Sequence, residues 1–147
     1  MTLTKYINHR LGNAPRAQAK NLLSRPFGAV SFAEFWQYWN PVWGYYLLYY
    51  SYRPLRKHLP RPISVWLTFV VCGLVHDLPF AIAAYLKNGS SPLFTITTFF
   101  TLIGSLVVIT EKVGFQFAKI PIVLRWVLHT SVILIFYRAA LYFTTPH

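Results

Sequence analysis

His76 is the residue best placed by type and position to do chemistry. It lies near the middle of an unbroken apolar stretch at about 63–86, where an ionisable group costs several kcal/mol and is a functional candidate by default. A neutral imidazole at that depth can take a proton from an alcohol, which is general-base work. The competing reading is a histidine satisfied by a hydroxyl or carbonyl of a neighbouring helix. Asp77 follows it directly, and Pro79 predicts a kink just beyond. Adjacent helical residues point about 100° apart, so Asp77 is not expected to face the same spot as His76. Cys72, four residues earlier, shares the helical face of His76. A nucleophilic thiolate there is conceivable, but an inert core cysteine is the expectation in apolar surroundings.

His129 also sits mid-stretch, at about 120–143, with Arg125 one turn away. Arg125 could snorkel to cytoplasmic headgroups, hold an anionic group, or bear on the charge state of His129. One histidine on each of two spans could ligate a haem only with matched depths and facing rings, which makes haem a weak reading. Arg138 pairs with Glu111 if helix packing brings them together, and otherwise lies toward the outer end of its span. There is no Gly-rich phosphate loop, His-Glu-x-x-His, Cys-x-x-Cys or Gly-x-Ser-x-Gly pattern. No metal and no tightly bound cofactor is expected.

The elements that must position these residues follow from composition. Of 147 residues, 55% are hydrophobic, 18% aromatic and only 12% charged, against roughly 25% charged in an ordinary soluble domain. So few charges cannot cover a water-soluble sphere of this size, which excludes a soluble enzyme, a disordered tail and a disulfide-rich secreted domain. Fourteen Lys and Arg against three acids give a net charge of +11. Alone, that charge suggests a nucleic-acid binder. The long apolar runs point instead to a membrane protein with its cations at anionic cytoplasmic headgroups and no nucleic-acid partner. Cys72 is the single cysteine, so there is no internal disulfide.

Residues 1–30 are basic and broken by Gly12, Pro15, Pro26 and Gly28. They read as a cytoplasmic leader against anionic lipid or, equally, as a partly disordered tail. Residues 31–147 read as one membrane domain. Ser31 and Glu34 form a capping-box pattern just before an aromatic run. The Trp and Tyr density of 31–52 suits the membrane interface better than a hydrocarbon span. Interfacial or re-entrant helices broken near Pro41 are therefore expected, with a simple span at about 35–52 as the alternative. Three stretches follow, at about 63–86, 93–110 and 120–143, each able to cross or nearly cross a core of about 30 Å. They are joined by a short turn at 87–92 and a linker at 111–119. The fold class is thus all-α integral membrane, with about three transmembrane helices after an aromatic interfacial region. Nine of the fourteen cations precede residue 63, and Lys112 and Lys119 lie in the second linker. The positive-inside rule then puts the N-terminus, the 53–62 loop and the 111–119 linker in the cytoplasm, and the C-terminus on the opposite side.

Three blocks in order carry a family resemblance. They are Phe35-Trp36-Gln37-Tyr38-Trp39-Asn40-Pro41, Tyr49-Tyr50-Ser51-Tyr52-Arg53-Pro54-Leu55, and Thr68 to His76 ending Gly73-Leu74-Val75-His76. Together they resemble the signature region of the membrane-bound O-acyltransferase family, across residues 32–80. The resemblance implies that His76 and Asn40 are the two signature polar positions. It implies His76 as the base that activates a hydroxyl acceptor toward an acyl thioester, such as acyl-CoA, delivered from the cytoplasmic side. Acyl transfer also needs a donor for the developing oxyanion and exclusion of water. Asn40 could supply a side-chain N–H, and Trp36, Trp39, Asp77, Arg125 and His129 are further candidates for contact with substrate. Two features depart from the family. Asp77 stands where a small residue is usual, and members are several hundred residues long with many more helices. The chain therefore reads as a minimal core that oligomerises, as one part of a split enzyme, or as a truncated relative retained as a structural subunit of a membrane complex.

Overall fold

Ser31 and Glu34 start a helix as their spacing predicts. In the computed structural model, which describes residues 1–88 and 94–145, Ser31 Oγ accepts from the Glu34 N–H at 3.1 Å. The Glu34 carboxylate reaches back to the Val30 N–H at 2.8 Å, so the reciprocal arm of the box lands one residue before the N-cap. The helix they cap, α3 (Phe32–Tyr38), follows α1 (Leu3–Leu11) and α2 (Pro15–Phe27). After Trp39 and Asn40 the chain re-enters helix as α4 (Pro41–Leu47), passes through a π-helical turn at Leu48–Tyr52, and ends this region with α5 (Arg53–Arg56). The break expected near Pro41 is present: Asn40 takes a left-handed conformation (φ 42°, ψ 76°) and Pro41 opens the next helix.

Three long helices complete the fold: α6 (Arg61–Asn88), α7 (Thr95–Val113) and α8 (Ile122–Thr144). The described residues contain no strand. All three long helices are long and apolar enough to cross a membrane. At 1.5 Å per residue, even the shortest approaches the ~30 Å hydrocarbon core. Each begins and ends within a few residues of its expected stretch. The turn expected at 87–92 falls largely outside the described residues.

Residues 1–30 form a packed helical pair, not a free tail. Gly12, at φ 99°, ends α1, and Pro15 begins α2 at its first position. Side-chain amides of α2 satisfy the carbonyls at the end of α1: Gln18 donates to Gly12 and Asn21 to Leu11, at 2.9 and 2.8 Å. Arg25 donates to the Arg10 carbonyl at 2.6 Å. Tyr6 and Leu11 are buried. These polar ties leave no trace in hydrophobic periodicity, which is why the sequence reads as a leader.

Close helix approach sets the α6–α7 contact. A Cβ on Gly73 would lie 2.4 Å from Thr97 Cα, and one on Gly104 would lie 2.8 Å from Phe69 Cβ. Small residues at such contacts are how helices pack where there is no hydrophobic drive between them. A core of Phe32, Phe99, Ile103, Val107, Phe117 and Ala140 joins α3, α7 and α8. The outer face of α8 stays exposed and apolar, with Val123, Val127, Leu134 and Ile135 more than half exposed.

Arg125 serves as a clamp at the start of α8. Its guanidinium donates to three backbone carbonyls: Ile120 at 2.8 Å, Gly28 at 3.0 Å and Ala118 at 2.9 Å. Removing such a donor leaves acceptors unmatched, at about 1–3 kcal/mol for each one buried. Arg125→Gln is therefore expected to lower the thermal unfolding midpoint and to speed proteolysis within 114–121. Unchanged proteolysis there would contradict the clamp.

Candidate functional site

The aromatic block and α6 enclose a cleft of about 370 Å³. Its walls come from α1, α3 and α4 on one side and α6 and α7 on the other. Trp36, Trp39, Asn40, Trp43, Cys72 and His76 all line it, so the two aromatic segments and the histidine of α6 converge in space. Trp36 packs edge-on against Phe69 and Phe100, and Trp39 stacks on Phe35.

The ring of His76 has a defined orientation. Its Nδ1 lies 2.6 Å from the carbonyl of Cys72, one turn back on the same helix. A carbonyl only accepts, so Nδ1 carries the proton, and in the neutral ring Nε2 is the bare nitrogen. Nε2 has no hydrogen-bond partner among the described residues. The ring meets Trp43 edge-on at 5.0 Å and Phe100 at 5.7 Å. Trp43 is itself held by its indole N–H, which donates to Cys72 Sγ at 3.2 Å. Cys72 is 4% exposed and has that donor on its sulfur.

Asn40 has two tasks at one place. Its left-handed backbone turns the chain between α3 and α4, a conformation asparagine tolerates better than most residues. Its Oδ1 accepts from the Trp43 N–H at 3.2 Å, which caps α4 and commits the oxygen. The amide nitrogen, Nδ2, is left as the donor. Asn40 thus fixes the start of the helix that carries Trp43 onto His76.

One end of the cleft is polar. Arg10 donates to Gln37 Oε1 at 3.1 Å and lies over the rings of Tyr6 and Tyr38. Arg61 pairs with Glu111 at 2.7 Å. Glu111 therefore takes Arg61 as its partner and not Arg138, because α6 and α7 are close neighbours whereas Arg138 lies exposed on α8. A smaller cavity of about 230 Å³ adjoins this end and shares Ala33, Arg61 and Glu111 with the main cleft. Sequence reasoning passed over Arg10 and Gln37. Gln37 lies inside the aromatic block, but nothing in the sequence joins Arg10 to it.

The other three candidates lie outside the cleft. Asp77 is 5% exposed and faces the start of α7. His129 is 1% exposed, stacked on Phe35 at 4.9 Å, with Nε2 donating to the Ala29 carbonyl at 3.2 Å. Arg125 is committed to its three carbonyls. His76 and His129 pack among separate sets of rings, and no described cluster of three His, Cys, Asp or Glu could hold a metal ion. Comparison with family models, curated proteins and solved structures finds no match to this chain.

Proposed function

We propose that this membrane protein transfers an acyl group from a thioester to a hydroxyl, with His76 as general base. The observation that carries the reading is the Nδ1–H bond to the Cys72 carbonyl, which leaves Nε2 bare in a cleft shared with Asn40. In the proposed step Nε2 takes the acceptor's hydroxyl proton as its oxygen attacks the thioester carbonyl. Asn40 Nδ2 donates to the oxyanion of the tetrahedral intermediate. That intermediate collapses to the ester, and the expelled thiolate recovers the proton from the imidazolium. Trp36, Trp43 and Phe100 give the cleft apolar walls, which disfavour the water that would otherwise compete as acceptor. Acyl-CoA supplied from the cytoplasmic side suits the basic N-terminal half.

The test is incubation of the protein, purified from native membrane in mild detergent, with a radiolabelled acyl thioester and a lipid or sugar acceptor. Labelled ester is expected, and its absence with every co-purified component present would sink the reading. Asn40→Asp sharpens the result, because aspartate caps a helix equally well and lacks the Nδ2 donor. It should keep the unfolding midpoint and lower the rate by about 10²–10³-fold.

The second reading is a non-catalytic subunit of acyltransferase ancestry. It is favoured by the same histidine being hydrogen-bonded and packed between Trp43 and Phe100, and by the broad apolar face of α8. A stoichiometric membrane protein that co-purifies, together with His76 variants that lose it, would select this reading. A homo-oligomer with bound lipid or acyl groups would select the enzyme.

A further inference from the structure

Asp77 follows the proposed base directly yet works on another helix. Its carboxylate accepts three hydrogen bonds from the first turn of α7: the Thr97 N–H at 2.6 Å, the Thr97 hydroxyl at 2.8 Å and the Ile96 N–H at 3.3 Å. The first N–H groups of any helix lack an intrahelical partner, and α7 has no side-chain cap of its own at Phe94. Orphan donors are expensive in apolar surroundings and more so in a bilayer. Asp77 supplies from α6 the cap that α7 does not carry. Gly73, one turn earlier on the same face, lets the α7 backbone come this close: its absent Cβ would lie 2.4 Å from Thr97 Cα.

That cap has a mechanical consequence for His76. Phe100 is three residues beyond Thr97, and its ring lies 5.7 Å from the imidazole, tilted by 36°. Trp43 closes on the ring at 5.0 Å. The place where α7 is pinned therefore sets where Phe100 rests, and Phe100 limits how the imidazole can turn.

We propose that Asp77 is a positioning residue for His76. By capping α7 from α6 it holds Phe100 against the imidazole, which keeps Nδ1–H on the Cys72 carbonyl and Nε2 bare. It does this without touching substrate. The role rests on His76 being the base, but its test uses no acyl transfer, so this proposal and the proposed activity can fail separately.

The experiment is nitrogen NMR of the protein labelled with 15N-histidine in detergent micelles, with the His76 signals assigned by their loss in His76→Gln. Carbethoxylation of His76 by diethylpyrocarbonate, read by peptide mass spectrometry, runs alongside. The native protein should show the Nδ1–H tautomer and modification at Nε2, at a rate set by how far the rings of Trp43 and Phe100 admit the reagent. Asp77→Ala should show mixed tautomers and several-fold faster modification, and Asp77→Asn, which keeps an accepting oxygen, should restore most of the native behaviour. Should Asp77→Ala not fold, Thr97→Val removes only the hydroxyl arm and should shift both readouts the same way by less. Native tautomer and native modification rate in a folded Asp77→Ala, or in Thr97→Val if only that variant folds, would overturn the proposal.

Discussion

His76→Gln is expected to lower the proposed acyl transfer by about 10²–10⁴-fold, the usual contribution of a positioned general base, with the unfolding midpoint unchanged. Glutamine is of similar size, and its amide N–H can still donate to the Cys72 carbonyl, so the local helix keeps its hydrogen bond. It cannot take a proton at neutral pH. Rate and stability should therefore part company, and that separation distinguishes a catalytic histidine from a packed one. Transfer rates on matched amounts of folded protein, with thermal unfolding in the same detergent, make the measurement. A variant that keeps its rate removes His76 as the base. A variant that keeps its fold but releases a partner protein points to the subunit reading.

Gly73→Val should be the most damaging single substitution in the membrane helices. The new Cβ would meet Thr97 Cα at 2.4 Å, Thr97 N at 3.0 Å and the Ile96 carbonyl at 3.1 Å. These are backbone atoms, so no rotamer change relieves the clash and α6 and α7 must separate. Separation also breaks the three bonds to Asp77 and unseats Phe69 from Gly104. Overpacking alone costs about 1–3 kcal/mol, and the lost cap adds to it, a combination that can exceed the stability of a marginal fold. Poor recovery of folded protein, or a large fall in the unfolding midpoint, is the expected outcome. Gly73→Ala should show the same direction to a smaller degree, and near-native unfolding of Gly73→Val would mean that the two helices are not in backbone contact.

Local signals carried much of this architecture. Ser31, Glu34 and Pro41 mark helix starts by chemistry that acts within four residues; Ser31 and Pro41 are used where their types predict, while the Glu34 carboxylate takes the Val30 N–H one residue early. The three long helices follow from apolar length alone. The placement of His76 and Asp77 on different faces follows from helix geometry, and Asp77 indeed faces α7 while His76 faces the cleft. What Asp77 grips could not be read, because its partners are 19 and 20 residues away. Arg125 and His129 looked like chemistry because charge and imidazole are rare in apolar helices. Their partners are main-chain carbonyls of Gly28 and Ala29, and carbonyls are present at every residue, so no side-chain pattern announces them. The fold of residues 1–30 escaped for the same reason, since amide side chains reaching carbonyls hold its two helices together.

The bonds from Arg125 to Gly28 and from His129 to Ala29 also impose an order in time. They join residues 97 and 100 positions apart in the chain. At a synthesis rate of about 5–20 residues per second, roughly 5–20 s pass between emergence of the segment around Gly28 and emergence of the side chains that will hold it. During that interval α3 and α4 have only part of their support, and the cleft they wall in is unfinished. A helix made later thus locks an earlier segment in place, and a chain interrupted ahead of Arg125 would reach the membrane with its aromatic region held against α6 and α7 but not by α8.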